Sequence, residues 1–210
     1  MASKYNRKDI HYQKAKETGV RSRAYFKLQE LNQKCKLIKP GYKIVDLGAW
    51  PGSWMEYAAK KTGPKGHVTG IDLVEIEPLA GKNTTLLQGD LYKEETIAEV
   101  AATCPQGFDL LMSDMSPKLT GIKESDHAQS AGLAELAIYI ASKTLKSGGN
   151  LVIKVFKSGD TDELIRSHRK YFTKLQRVGL KSTRKTSNEF YIVGFGFKQK
   201  LYLDEHNCCS

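Results

Sequence analysis

No apolar run in the chain approaches the roughly 20 residues that a helix needs to cross a bilayer, so no membrane-spanning helix is expected. Cysteine is scarce. The four present, Cys35, Cys104, Cys208 and Cys209, form neither a C-x-x-C pair nor a disulfide framework, so reduced and chemically incidental thiols are expected. The five histidines show no H-x-x-x-H or H-x-x-H spacing, which argues against a zinc site, and no metal is expected. The phosphate-cradling G-x-G-x-x-G of dinucleotide enzymes is missing as well, and with it the case for a nicotinamide-dependent oxidoreductase. Residues Met1 to Lys8 are polar and basic with no apolar core behind them, so no secretory signal is expected and the cytosol is the expected compartment.

What is present is ordinary for a globular chain: 40% hydrophobic, 9% aromatic and 27% charged residues over 210 positions. A single domain of that length buries about 70% of the surface its unfolded chain exposes. The charge is unevenly placed. Residues 1–43 carry 12 Lys and Arg against 3 Asp and Glu, residues 142–200 carry 14 against 4, and residues 44–141 reverse the balance with 7 against 14. An acidic middle between two basic ends implies a polyanion gripped by the ends and a different ligand held by the middle. Nucleic acid is the expected polyanion. A membrane surface fits less well, since no basic amphipathic helix with an aromatic apolar face is evident.

Apolar runs of strand length alternate with helical intervals, the signature of an α/β fold with a mostly parallel sheet and helices on both faces. Strands are expected at Lys43–Leu47, His67–Leu73, Thr84–Gln88, Phe108–Ser113, Asn150–Phe156 and Glu189–Phe197, with helices at Ser53–Lys61, Glu94–Thr103, Asp126–Leu145 and Thr161–Phe172. Gly63-Pro64, Pro105-Gln106-Gly107 and Ser147-Gly148-Gly149 punctuate the chain just before three of the strands. Ahead of Pro40 two more helices are expected, about Lys8–Thr18 and Ser22–Cys35. Ser22 can cap the second, and Tyr25, Leu28 and Leu31 form a packing stripe that excludes Lys27. A single domain, 1–210, then divides into a basic helical extension (1–40), a core (41–198) and a polar tail (199–210).

Four strands end in an acid at or just past their C-terminal edge: Asp46, Asp72, Asp90 and Asp114. Ligands of an open parallel sheet bind outside that edge, so these carboxylates would line one crevice. Such a crevice favours a cation or a ligand rich in hydroxyl and amino donors, and repels a pyrophosphate. The turn Asp46-Leu47-Gly48-Ala49-Trp50-Pro51-Gly52-Ser53-Trp54 keeps two glycines that let a ligand approach the backbone. Asp72 follows Gly52 by 20 residues, the spacing at which an acid accepts from ribose hydroxyls. A ligand with ribose, adenine and a positive charge but no phosphate satisfies all of these features, and S-adenosylmethionine is the expected cofactor.

Arg21-Ser22-Arg23-Ala24-Tyr25-Phe26-Lys27-Leu28, the Asp46–Trp54 turn, Ser113-Asp114-Met115-Ser116-Pro117, Val152-Ile153-Lys154-Val155-Phe156 and Ser187-Asn188-Glu189-Phe190-Tyr191 stand in order over roughly residues 8–198. Together they resemble the FtsJ/RrmJ family, whose members are S-adenosylmethionine-dependent ribosomal RNA ribose 2′-O-methyltransferases. The resemblance implies a Rossmann-like class I methyltransferase fold, a seven-stranded sheet with one antiparallel strand near the C-terminus. Two residues of the turn depart from the family pattern DLGAAPGGW: Trp50 stands for a small residue and Ser53 for a glycine.

The family's catalytic tetrad Lys-Asp-Lys-Glu falls, by the same resemblance, on Lys27, Asp114, Lys154 and Glu189. It implies Lys154 as general base for the hydroxyl, Asp114 and Glu189 aligning base and hydroxyl, and Lys27 lending positive charge beside Lys154 while facing the RNA. Cofactor contacts are expected from Asp46, Gly48, Gly52, Trp54, Asp72, Asp90 and Asp114. Lys154 is notable on its own terms, since it sits inside the apolar run Leu151–Phe156 where an ammonium loses solvation. The implied partner is ribosomal RNA of the large subunit, methylated at a uridine and bound by a monomer with no membrane involved. The expected RNA footprint is Lys8, Lys14, Arg21 and Arg23 from one basic end, and Arg166, Arg169, Lys181, Arg184 and Lys185 from the other. Transfer RNA is the alternative substrate. A catalytically dead RNA-binding module is the other class, and it would not need Lys154 and Asp114.

Overall fold

A computed structural model describes residues 19–183 and 188–206. The expected helix at Lys8–Thr18, together with Arg184, Lys185, Ser187, Cys208 and Cys209, lies outside the described residues. In chain order the elements are α1 (Ala24–Cys35), β1 (Lys43–Leu47), α2 (Ser53–Thr62), β2 (His67–Asp72), β3 (Thr84–Gln88), α3 (Glu94–Ala102), β4 (Phe108–Ser113), α4 (Lys123–Thr144), β5 (Leu145–Phe156), α5 (Gly159–His168), a 3₁₀ turn (Arg169–Tyr171), β6 (Phe172–Val178), β7 (Glu189–Phe197) and α6 (Gln199–His206). One seven-stranded sheet runs β3-β2-β1-β4-β5-β7-β6. Only β7 opposes its neighbours, pairing antiparallel with both β5 and β6.

Strand residues alternate between two cores, as a period of two requires. Leu110, Met112, Val152, Tyr191 and Val193 face Leu28 and Leu31 of α1 and Trp54, Met55 and Ala58 of α2. Leu111, Leu151, Ile153, Val155 and Ile192 face the opposite layer, built from Ile97 and Val100 of α3, Ala134 to Ala141 of α4, Leu164 of α5 and Tyr202 of α6. The direction of strand order reverses between β1 and β4, and that switch point opens a crevice beyond their C-terminal ends. Asp46 and Asp114 flank it, because Leu47 is in register with Ser113.

Several boundaries differ from the sequence expectation. Residues expected as the end of a helix, up to Phe172, instead lead into an edge strand, β6. Its buried residues Phe172, Leu175 and Val178 recur every third position, which imitates a helical stripe. The Ser147-Gly148-Gly149 breaker lies inside β5, where the pairing jumps from Phe108↔Leu145 to Leu110↔Asn150 and the extra residues bulge out. Gln199–His206, read as polar tail, forms α6, anchored by the buried ring of Tyr202. The extension is no appendage from Ala24 onward, since Leu28 and Leu31 are wholly buried against the sheet.

Arg21 is also corrected. Its guanidinium donates to the carbonyls of Pro51 at 2.9 Å and Glu77 at 2.8 Å, and to that of Pro78. These bonds strap the residues before α1 to the loops after β1 and β2, so this side chain serves the fold rather than an RNA phosphate. Midway along α1, Glu30 accepts from the backbone N–H groups of Lys181 at 2.8 Å and Ser182 at 2.9 Å, and pairs with Lys34 at 2.9 Å. Partial burial would raise its carboxyl, but the hydrogen bonds from Lys34, Lys181 and Ser182 outweigh that and hold it at about 2. A carboxylate held low stabilises the fold above its unfolded value and loses that contribution as pH falls through the folded one. Glu30→Gln should therefore lower the thermal midpoint by a few degrees at pH 7, and its deficit against wild type should shrink as pH falls from 4.5 to about 2. Calorimetric melting across that range checks it.

Candidate active site

Lys154 lies opposite Tyr191 in the β5–β7 ladder, and Glu189 lies opposite Phe156. Alternation puts Lys154, Tyr191 and Glu189 on the face that meets α1. Lys154 is 8% exposed, and its Nζ donates to the Asp114 carbonyl at 2.5 Å and meets Asp114 Oδ1 at 3.2 Å. The hydroxyl of Tyr191 donates to the same Oδ1 at 3.1 Å. Burial, and then the charges of Asp114 and Glu189, push the Tyr191 phenol far up, so it stays a neutral donor. Lys27 is equally buried at 8%, and its Nζ meets Glu189 Oε1 at 2.5 Å. That oxygen also accepts from the hydroxyl of Thr183 at 3.3 Å.

The four residues thus come together as two ion pairs, Lys154 with Asp114 and Lys27 with Glu189. Lys27, which reads from its helix as a surface lysine, is instead buried and paired directly with Glu189.

Beside the pairs lie two adjoining cavities. The larger, about 400 Å³, is lined by Gly48, Asp72, Asp90, Asp114, Leu73 and Tyr92 among others. A recess of about 50 Å³ between Asp46, Gly48, Trp50, Trp54 and Asp114 adjoins it. Asp46 is 1% exposed with Oδ2 unpartnered, and burial, followed by the charges of Asp114 and Asp72, drives its carboxyl well up. Asp72 uses Oδ2 to hold the Trp50 N–H at 2.9 Å and Oδ1 to hold that of Val74 at 3.0 Å. Asp90 Oδ1 holds the Tyr92 N–H at 3.0 Å. A carboxylate has about four lone-pair sites, so both keep acceptor capacity toward the cavity.

Gly48 has φ +69°, and a Cβ there would stand 2.4 Å from Met115 Cγ. Gly52, expected among the cofactor contacts, lines neither cavity; it turns the chain into α2 at φ +96° and packs beside the Arg21 guanidinium. Trp54 is buried, its Nε1 donating to the Ala24 carbonyl at 3.0 Å and its ring tilted against Tyr191 at 5.9 Å. The Ser53 hydroxyl donates to that of Ser22 at 2.7 Å, and Ser22 in turn accepts from the Ala24 N–H at 3.2 Å. Ser53 and Trp54 together pin the start of α1 to the start of α2. Trp50, 56% exposed, is among the residues that line both cavities. Among the described residues no cluster of three or more His, Cys, Asp or Glu is placed to hold a metal ion.

Sequence reasoning missed Tyr191 and the strap made by Arg21. The signal for Tyr191 was its alternation with Glu189 on one strand face, whereas nothing local marked Arg21, whose partners are backbone carbonyls 30 to 57 positions away.

The pattern of the FtsJ-like methyltransferases matches residues 20–197, a span that contains both ion pairs and both cavities. The chain belongs to the FtsJ-like methyltransferase family. It is 43% identical to the ribosomal RNA large subunit methyltransferase E of Bdellovibrio bacteriovorus, over 92% of this chain and 99% of that one. With the protein of the same name from Methanothrix thermoacetophila it shares 39%, over 90% of this chain and 72% of that one. A crystal structure of a Plasmodium falciparum protein described as a ribosomal RNA methyltransferase superposes with a TM-score of 0.76 at 26% identity, over 84% of this chain and 98% of that one.

In this FtsJ-like methyltransferase the Gly48 turn is the most constrained point of the cavity wall. Gly48→Ala should destabilise the fold by about 1–3 kcal/mol, through left-handed backbone strain and the Met115 clash. Urea denaturation would read that loss, and an unchanged midpoint would contradict it.

Proposed function

We propose that the chain transfers a methyl group from S-adenosylmethionine to a ribose 2′-hydroxyl, at a uridine of large-subunit ribosomal RNA. The observation that carries this reading is the buried Lys154–Asp114 pair standing at the wall of an acid-lined cavity. The cavity suits the cofactor chemically. Asp72 and Asp90 offer acceptors to ribose hydroxyls, the Asp46 carboxyl keeps an unpartnered Oδ2, and Gly48 brings bare backbone to the cavity wall. When bound, S-adenosylmethionine supplies a methyl carbon made electrophilic by its sulfonium leaving group.

The remaining task is to make an alcohol nucleophilic, and it falls to Lys154. Lys154 of the ion pair first releases one proton to solvent, and the neutral amine that remains has two N–H bonds and one lone pair. Both Asp114 acceptors, the carbonyl and Oδ1, lie within reach of Nζ and take those N–H bonds, which leaves the lone pair to accept the hydroxyl proton. General-base assistance of this kind contributes about 10²–10⁴-fold. Tyr191 holds Oδ1 from the other side, so the carboxylate cannot swing away from the amine. The names of the relatives, ribosomal RNA large subunit methyltransferase E, support the substrate.

RNA phosphates are assigned to Arg23 and to the basic residues Arg169 and Lys181, with Lys8, Lys14, Arg184 and Lys185 beside them in the sequence reading. Arg23 stands at the start of α1, near enough to Tyr191 for its charge to act on the phenol. Arg166 is paired with Glu163 at the surface, which weakens its claim. RNA affinity should fall linearly with salt on logarithmic axes.

Lys154→Ala should lower methyl transfer by at least 10²-fold, with cofactor and RNA bound within a few fold of wild type. Lys154→Arg keeps the charge but cannot act as a base. A nearly inactive Arg variant supports proton abstraction, whereas substantial activity would reduce Lys154 to an orienting group. Mapping ribose methylation in cells lacking the protein should reveal one missing 2′-O-methyl in large-subunit RNA. A loss confined to transfer RNA would reassign the substrate.

A further inference from the structure

Trp50 is the residue of the cofactor-side turn for which neither the fold nor the cavity chemistry gives a use. A tryptophan is normally buried for the large apolar area it removes from water, yet this one is 56% exposed while Trp54, four positions on, is 3% exposed. Its placement is fixed: Asp72 Oδ2 accepts its N–H at 2.9 Å, which pins the backbone on the rim. The residue borders both the large cavity and the small recess, and Asp114 lines both as well. Trp50 therefore shares one crevice with the carboxylate of the Lys154–Asp114 pair.

We propose that Trp50 is a stacking platform for a base of the substrate RNA, a positioning residue for the nucleotide whose ribose is methylated. This rests on the function proposed above. A base is joined to C1′, the atom next to the ribose carbon that bears the reacting hydroxyl. With that hydroxyl at Lys154 Nζ, the base must come to rest within about one sugar's width of Asp114. Trp50 shares the recess with Asp114 and offers an exposed aromatic flank there. The charge of the surroundings selects the same part of the nucleotide. Asp72 and Asp90, which no lysine or arginine pairs with among the described residues, repel phosphate from this edge, so an uncharged base is the RNA component that the acidic rim tolerates. A base stacked on an aromatic side chain is held without regard to its hydrogen-bonding edge, which makes Trp50 a grip on position rather than a reader of identity. The adenine of the cofactor is the other planar group that could meet this ring, and the test separates the two.

The chain has two tryptophans, and the buried one is shielded by its Ala24 hydrogen bond and its packing on Tyr191, so quenching of the exposed one can be read directly. The probes are oligouridylate and S-adenosylmethionine, each added alone to the full-length protein. Oligouridylate should quench the long-wavelength emission of Trp50, whereas S-adenosylmethionine should leave it nearly unchanged. Trp50→Ala should abolish the quench and weaken oligouridylate binding by about 5- to 100-fold, with cofactor affinity by calorimetry within twofold. Trp50→Phe, which keeps a π face, should restore binding to within about fivefold of wild type. Quenching by S-adenosylmethionine together with weaker cofactor binding in Trp50→Ala would overturn the proposal and give the ring to adenine. Unchanged oligouridylate binding in Trp50→Ala would overturn it outright. Failure of the proposed function would read differently: wild-type protein would quench with oligouridylate yet place no methyl on ribosomal RNA.

Discussion

Two ammonium groups are carried into a nearly dry wedge between α1 and the sheet, and each is tolerable only because a carboxylate meets it. Removing one partner of a buried ion pair leaves an uncompensated charge and costs about 3–5 kcal/mol. Lys154 on β5 needs Asp114 from the end of β4, and Lys27 on α1 needs Glu189 at the start of β7. Four elements are thereby tied to one spot. The remaining contacts serve that tie: Trp54 links the start of α1 to Tyr191, Tyr191 bonds Asp114, and Glu30 fastens α1 to residues 181 and 182.

The same edge of the sheet carries acid that is not neutralised by lysine. Asp46 belongs to β1, Asp72 to β2, and Asp90 follows β3; burial, then the charges of Asp114 and Asp72, push the Asp46 carboxyl well up. The edge is therefore divided in function. Under the proposed function a cationic, hydroxyl-rich ligand takes the β1–β3 side, and the RNA backbone reaches the pair from the side of α1 and β7. The Lys154–Asp114 pair stands where those two territories meet, which is where a ribose hydroxyl and a methyl donor have to be brought together.

Residues whose meaning is local were legible in the sequence. Lys154 interrupts an apolar strand, the acids close successive strands, and the mostly parallel sheet follows from the alternation of apolar runs with helices. Contacts that span the chain were not. The Lys27–Glu189 pair joins positions 162 apart, and Lys27 reads from its helix alone as a solvated lysine. Arg21 reads as one more basic residue because its acceptors are backbone carbonyls, which no residue type announces. Tyr191 passes for an apolar strand residue until Asp114 is seen beneath its hydroxyl, and β6 hides because its buried residues recur every third position.

The central claim is that Lys154 and Asp114 work as one unit, the carboxylate holding the amine so that its lone pair meets the hydroxyl. A double-mutant cycle read in single-turnover methyl transfer tests it most directly. Residues that act as a unit are strongly non-additive. Lys154→Ala and Asp114→Ala should each remove most of the rate, and the double variant should be no slower than the slower single variant. A double variant whose rate falls by the product of the two single losses would mean that the residues contribute independently, and would contradict the claim.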